Sequence, residues 1–191
     1  MDTYSVVKFV HICALLLGFG GAGVISLCLF RLKAARTLEE AGPWGMLAGQ
    51  TEKVFPVAIL GLFGTGAYLT SDAWTWSTHW IDASIAGLVV LALQGPLLAG
   101  SRAHLLKHAL MENGPGPLRG RALELASDRI LWAVNFANIG IVLGVVWDMT
   151  QKAGTGTSIA AIVAGYLVGA GIGIRFSRRP AVEAAPVGEA A

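Results

Sequence analysis

Five apolar stretches, each near the width of a bilayer's hydrocarbon core, dictate what this chain can fold into. Residues 5–30, 54–70, 81–100, 130–147 and 158–174 are almost free of charge. About 20 such residues of helix cross ~30 Å of hydrocarbon. None of the stretches alternates with a period of two, and hydrocarbon offers no partner for an unpaired backbone N–H or C=O, so each is expected to be a helix. The fold predicted is all-α, an integral membrane bundle of five transmembrane helices within residues 1–176. The shorter stretches, 54–70 and 158–174, need local thinning or little tilt to cross. Charged residues make up only 14% of the chain, against about a quarter in soluble domains.

The charges say which way such a bundle faces. Arg31, Lys33, Arg36 and Lys53 fall in the first gap, and Arg102, Lys107, Arg119, Arg121 and Arg129 in the third. Arg175, Arg178 and Arg179 follow the last stretch, which puts twelve of the fourteen basic residues on one side. The positive-inside bias then places the N-terminus outside and the C-terminus in the cytoplasm of a multi-pass membrane protein. Trp74, Trp76, Trp80 and Trp147 collect at the outer interface, where indole rings prefer to sit. A net charge of +2 held in the flanks of apolar segments makes lipid, not nucleic acid, the expected partner. Residues 177–191, rich in Ala, Pro and Glu, are expected to form a disordered cytoplasmic tail. Gly42-Pro43-Trp44-Gly45 and Asn113-Gly114-Pro115-Gly116-Pro117 are expected to break the basic gaps, with short helices over 101–111 and 118–129.

Helices in lipid associate by close approach at small residues. Gly165, Gly169 and Gly173 repeat every fourth residue, as do Gly140 and Gly144, while Gly61, Gly64 and Gly66 line the second stretch. The first set suits either packing within the bundle or a homo-oligomer or membrane partner. The glycine-rich run at residues 18–23 follows no strand, which argues against a nucleotide loop. Cys13 and Cys28, fifteen residues apart on one helix, lie ~22 Å apart and cannot bridge.

The polar groups inside the stretches are the candidates for function. His11 lies ~9 Å from the outer start of the first helix. It shares a face with Leu15, Gly18 and Ala22 and so points toward other helices. It reads as a neutral interhelical hydrogen bonder, a haem or metal ligand, or a proton or substrate contact. Thr65, Tyr68, Asp72, His79, Asp82 and Asp148 fall at the same outer level, and His11, His79, Asp82 and Asp148 form the candidate metal set. Nearer the cytoplasm, Gln94 and Asn135 reach similar depth, which allows a hydrogen bond between the third and fourth helices; Asn138 is one turn further in. These three form a structural clamp or line a polar path. Gly95-Pro96 should kink the third helix. His104 and His108 share a helix face, but Arg102 and Lys107 oppose a cation there, and a basic surface against anionic head groups is expected.

Val7-Lys8-Phe9-Val10-His11 before the glycine-rich run, Gly64-Thr65-Gly66-Ala67-Tyr68-Leu69-Thr70, and Trp80-Ile81-Asp82-Ala83-Ser84 together resemble a group of uncharacterised small bacterial integral membrane proteins. More distantly, the chain is similar to the copper-resistance D membrane domain and to the HemJ-type protoporphyrinogen oxidase. That resemblance implies haem, porphyrin or copper at His11. The expected function is a multi-pass membrane protein without a catalytic centre, serving as an accessory or assembly component. The alternatives are haem or copper handling through His11, and a small transporter or channel.

Overall fold

The computed structural model describes residues 2–178. Eight α-helices run in the order α1 (Thr3–Ala34), α2 (Leu38–Thr51), α3 (Val54–Ala73), α4 (His79–Gln94), α5 (Ser101–Glu112), α6 (Gly120–Ala126), α7 (Arg129–Gln151) and α8 (Thr155–Ser177), with a π-helical turn, Gly95–Gly100, joining α4 to α5. Five helical rods are long and apolar enough to cross a membrane: Thr3–Ala34, Leu38–Ala73, His79–Glu112, Gly120–Gln151 and Thr155–Ser177. Four exceed 30 residues, about 45 Å of helix, so their ends project beyond a hydrocarbon slab. Phe9, Leu16, Leu60, Leu167 and Val168 on the rods' outer faces are each more than 60% exposed, consistent with contact to lipid. Only Ser177 and Arg178 of the expected tail fall within the described residues, and Ser177 closes α8.

The ends of the helices follow local chemistry. Asp2 caps α1 by accepting the Ser5 N–H at 2.7 Å. Thr37 Oγ1 accepts the Glu40 N–H at 3.3 Å while Glu40 reaches back to the Arg36 N–H at 2.8 Å, a reciprocal cap on α2. Asp128 caps α7 at the Leu131 N–H, 2.8 Å away, and pairs with Arg102 at 3.4 Å.

One expected break and one expected kink take another form. Gly42-Pro43-Trp44-Gly45 does not interrupt the chain; α2 runs through Pro43. Pro43 costs one hydrogen bond, and packing holds the helix together: Ala41 is fully buried, Gly45 faces Leu110, and the Arg31 guanidinium lies 5.2 Å from the Trp44 ring centroid. At Gly95-Pro96 the helix widens into the π turn and continues as α5. Pro96 has no N–H for the carbonyl four residues back and its ring crowds that carbonyl, which one turn of wider winding relieves.

The two ends of the molecule differ. At the basic end, Leu29, Leu32, Ala41, Leu106, Leu110, Leu118, Leu125 and Trp132 belong to one apolar core shared by α1, α2, α5, α6 and α7. Trp132 is fully buried and donates Nε1–H to Ala126 O at 3.0 Å. Its ring sits edge-on to Phe30 at 4.9 Å, and Phe30 meets Phe176 of α8 at 5.2 Å. Lys33 Nζ donates to the Phe176 and Arg178 carbonyls, placing a cation at the negative end of α8. The α5–α6 loop is stapled to the α1–α2 connection by Leu38 N–H to Gly116 O at 2.9 Å and Leu118 N–H to Arg36 O at 2.8 Å. Gly114 and Gly116 supply the positive φ that this loop requires.

At the opposite, tryptophan end, the rods meet in two groups. The α3 backbone approaches α1, α2 and α4 but neither α7 nor α8. The α8 backbone approaches α7 and α4 alone. Gly165, Gly169 and Gly173 lie against the carbonyls of Gly140, Phe136 and Trp132. The face considered for a second copy is therefore occupied by this chain's own α7.

Candidate functional site

His11 faces α3, in the seam between the first two rods. Its Nδ1 lies 2.8 Å from Thr65 Oγ1, and the Thr65 hydroxyl donates to Gly61 O at 2.5 Å. Because Thr65 gives its own proton to Gly61, it accepts from His11, which assigns the imidazole hydrogen to Nδ1. Gly66 leaves the room: a methyl there would stand 3.5 Å from His11 Cε1.

The deeper polar level resolves into two bonds. Gln94 Nε2 donates to Asn138 Oδ1, joining α4 to α7. Asn135 Nδ2 donates to Ser26 Oγ at 2.8 Å, joining α7 to α1, and Ser26 Oγ passes its proton to Ala22 O at 2.9 Å. The expected Gln94–Asn135 pair does not form. Three residues along a helix turn the side chain by ~300°, so Asn135 and Asn138 look toward different neighbours. Ser26 was not singled out in the sequence, since a serine bonded to its own helix carries no pattern.

The four residues considered as a metal set do not converge. His79 and Asp82 are exposed on the first turn of α4, His11 is held against α3, and Asp148 is fully enclosed near the end of α7. Among the described residues no group of three His, Cys, Asp or Glu side chains is placed to hold a metal ion. His104 and His108 stack edge to face at 4.4 Å on exposed α5.

Asp148 is the anomaly. Its residue is 0% exposed, and neither carboxylate oxygen has a hydrogen-bond partner. Three helices close around it. Gly87 of α4 packs against Ile141 and Val145 of α7 and Ile162 of α8. One turn toward the tryptophan end, the same three faces present Ser84, Asp148 and Ser158. Ser158 is fully buried and faces Asp148, but its hydroxyl is 3.3 Å from Ala153 O. The buried Ser84 Oγ and Trp80 Nε1 are likewise unpartnered. Above them the Trp74 and Trp80 rings meet edge-on at 5.3 Å, and the Lys152 ammonium lies 4.8 Å from the Trp74 centroid. Ser84 and Ser158 escaped notice in the sequence because serine is common near helix starts. The usable signal was the register set by Gly87, Val145 and Ile162, which needs the helix pairing to be known.

Comparison with protein-family models, with curated proteins and with solved structures finds no match for this chain.

Proposed function

We propose that the protein is a small transporter of the bacterial cytoplasmic membrane, with its tryptophan end outside, its basic end in the cytoplasm, and Asp148 as the group that handles charge. The orientation rests on the twelve basic residues gathered at one end of five apolar rods. The observation that carries the reading is Asp148, wholly enclosed, with no donor within hydrogen-bond distance of either oxygen and only the Ser158 hydroxyl facing it. A lone carboxylate costs about 3 kcal/mol at the bilayer centre and less toward the interface, where Asp148 lies beside Trp147; ionisable groups enclosed within membrane bundles mark ion and proton paths. A transporter needs a buried group that takes up and releases charge. The Gln94–Asn138 amide pair and the Asn135–Ser26 amide–hydroxyl pair then act as helix clamps and leave Asp148 as the reactive polar group.

Reconstitution into liposomes carrying trapped pH-sensitive and sodium-sensitive dyes tests this. An imposed proton or sodium gradient should collapse several-fold faster than in protein-free liposomes. Asp148→Asn should return the rate to the protein-free value with helicity and detergent stability retained. Wild-type liposomes as tight as protein-free ones toward both ions would remove the reading.

A further inference from the structure

We propose that Asp148, Ser84 and Ser158, with the Ala153 main-chain carbonyl, form a binding site for a hard monovalent cation of the sodium class. The inference rests on the transport reading and names its ion. Every potential ligand at the α4–α7–α8 junction is oxygen: two carboxylate oxygens, two hydroxyls and one carbonyl. Oxygen donors select hard cations, while imidazole and thiolate, absent from this junction, suit softer metals. A single carboxylate balances a single positive charge, so a monovalent ion leaves the enclosed site neutral.

The surrounding charges do not perform this task. Lys152, one turn beyond Asp148, has its ammonium over the Trp74 ring. His79 and Asp82 on α4 are exposed, and the first turn of α8, Thr155 to Ser158, holds no ionisable side chain. Asp148 also lies in the last turn of α7, where the helix dipole disfavours a bare anion and favours a bound cation. The unpartnered Trp80 Nε1, one turn above Ser84, is an N–H donor suited to orienting a carboxylate.

The test uses the full chain in detergent at pH 8, with sodium chloride exchanged for choline chloride at constant ionic strength. Thermal stability of the wild type should rise saturably with sodium, and radioactive sodium should bind at one equivalent per chain. Asp148→Asn should abolish both. Ser84→Ala and Ser158→Ala, which keep the carboxylate, should each weaken the sodium midpoint by roughly tenfold, the factor corresponding to about 1.4 kcal/mol; they serve if Asp148→Asn fails to fold. Identical wild-type melting in sodium and choline, or a sodium response that survives Asp148→Asn, overturns the site. Proton flux that needs Asp148 without any sodium response overturns the site and keeps the transport reading. Sodium binding at Asp148 in a protein that moves no ion keeps the site and removes transport.

Discussion

The α7–α8 contact and the α1–α3 contact both use small residues, yet they are built differently. Between α7 and α8 the backbones themselves touch. A methyl group on Gly140, Gly165, Gly169 or Gly173 would run into a carbonyl of the facing helix, and one on Gly144 would stand 2.7 Å from Ile162 Cα. Between α1 and α3 the approach is through side chains. A methyl on Gly18 would stand 3.3 Å from Ala58 Cβ, one on Gly61 3.1 Å from Ala14 Cβ, and the seam is fastened by His11 and Thr65. Where lipid replaces water there is little hydrophobic gain from helix association, so closeness of packing decides strength. The first contact is a rigid wedge and the second an adjustable pair. Asp148 sits at the end of the wedge, where tightly packed surroundings cannot reorganise to solvate its charge.

The sharpest way to break the contrast is to add one methyl on each side of it. Gly165→Ala forces the α7 and α8 backbones apart and should cost about 3 kcal/mol, within the upper range for overpacking. Gly18→Ala meets a methyl that can yield, and the better helix propensity of alanine offsets the crowding, so its effect should stay within about 1 kcal/mol. Reversible unfolding of both variants in mixed micelles measures the difference. Equal losses would mean that the two contacts are not distinct in kind.

The clamps give a second, smaller test. Asn138→Leu strips Gln94 of its partner between α4 and α7, a buried amide at 8% exposure. Asn135→Leu leaves Ser26 still bonded to Ala22 O. The first should cost about 1–2 kcal/mol and the second roughly half as much, because only the first orphans a buried donor. Thr65→Ala removes the acceptor for His11 in the looser seam and should cost about 0.6 kcal/mol, the usual worth of such a bond in a membrane bundle. The same unfolding assay ranks all three.

The all-α fold was legible because apolar length and the ban on unpaired backbone groups both follow from composition. The use of Gly165, Gly169 and Gly173 was legible only as a small-residue face, since the helix it meets depends on topology. Pro43 misled, because a proline announces a missing N–H and says nothing of the Ala41 and Trp44 packing that offsets it. The His11 face was readable from helical period alone. Asp148 was visible as a polar residue at a helix end, where an aspartate is usually solvated. Its enclosure depends on how α7 pairs with α4 and with α8, which no local pattern carries.

The smallest effect falls at the free end of the looser pair. Asp2 accepts the Ser5 N–H at 2.7 Å and the Ser5 hydroxyl at 3.0 Å, and it is fully exposed ahead of α1. The Ser5 backbone bond chiefly, then the Ser5 hydroxyl and the charge of Lys8, hold its carboxyl below the ordinary value of 3.8. A carboxyl lowered on folding stabilises the cap at pH values above its unfolded value, and that support is lost as pH falls through the lower folded one. Hydrogen exchange at residues 3–7 should therefore be unchanged by protonation of this group from pH 7 down to about 4.5 and show weaker protection only below that of an unstrained aspartate, 3.8. Asp2→Asn keeps a capping oxygen without the charge, so it should exchange slightly faster at neutral pH and lose the acid dependence. The α7–α8 amides, which have acids of their own in Asp128 and Asp148, should exchange alike in the wild type and in Asp2→Asn at every pH. An effect of Asp2→Asn on those amides would show that the two helix groups open together and would erase the distinction between wedge and pair.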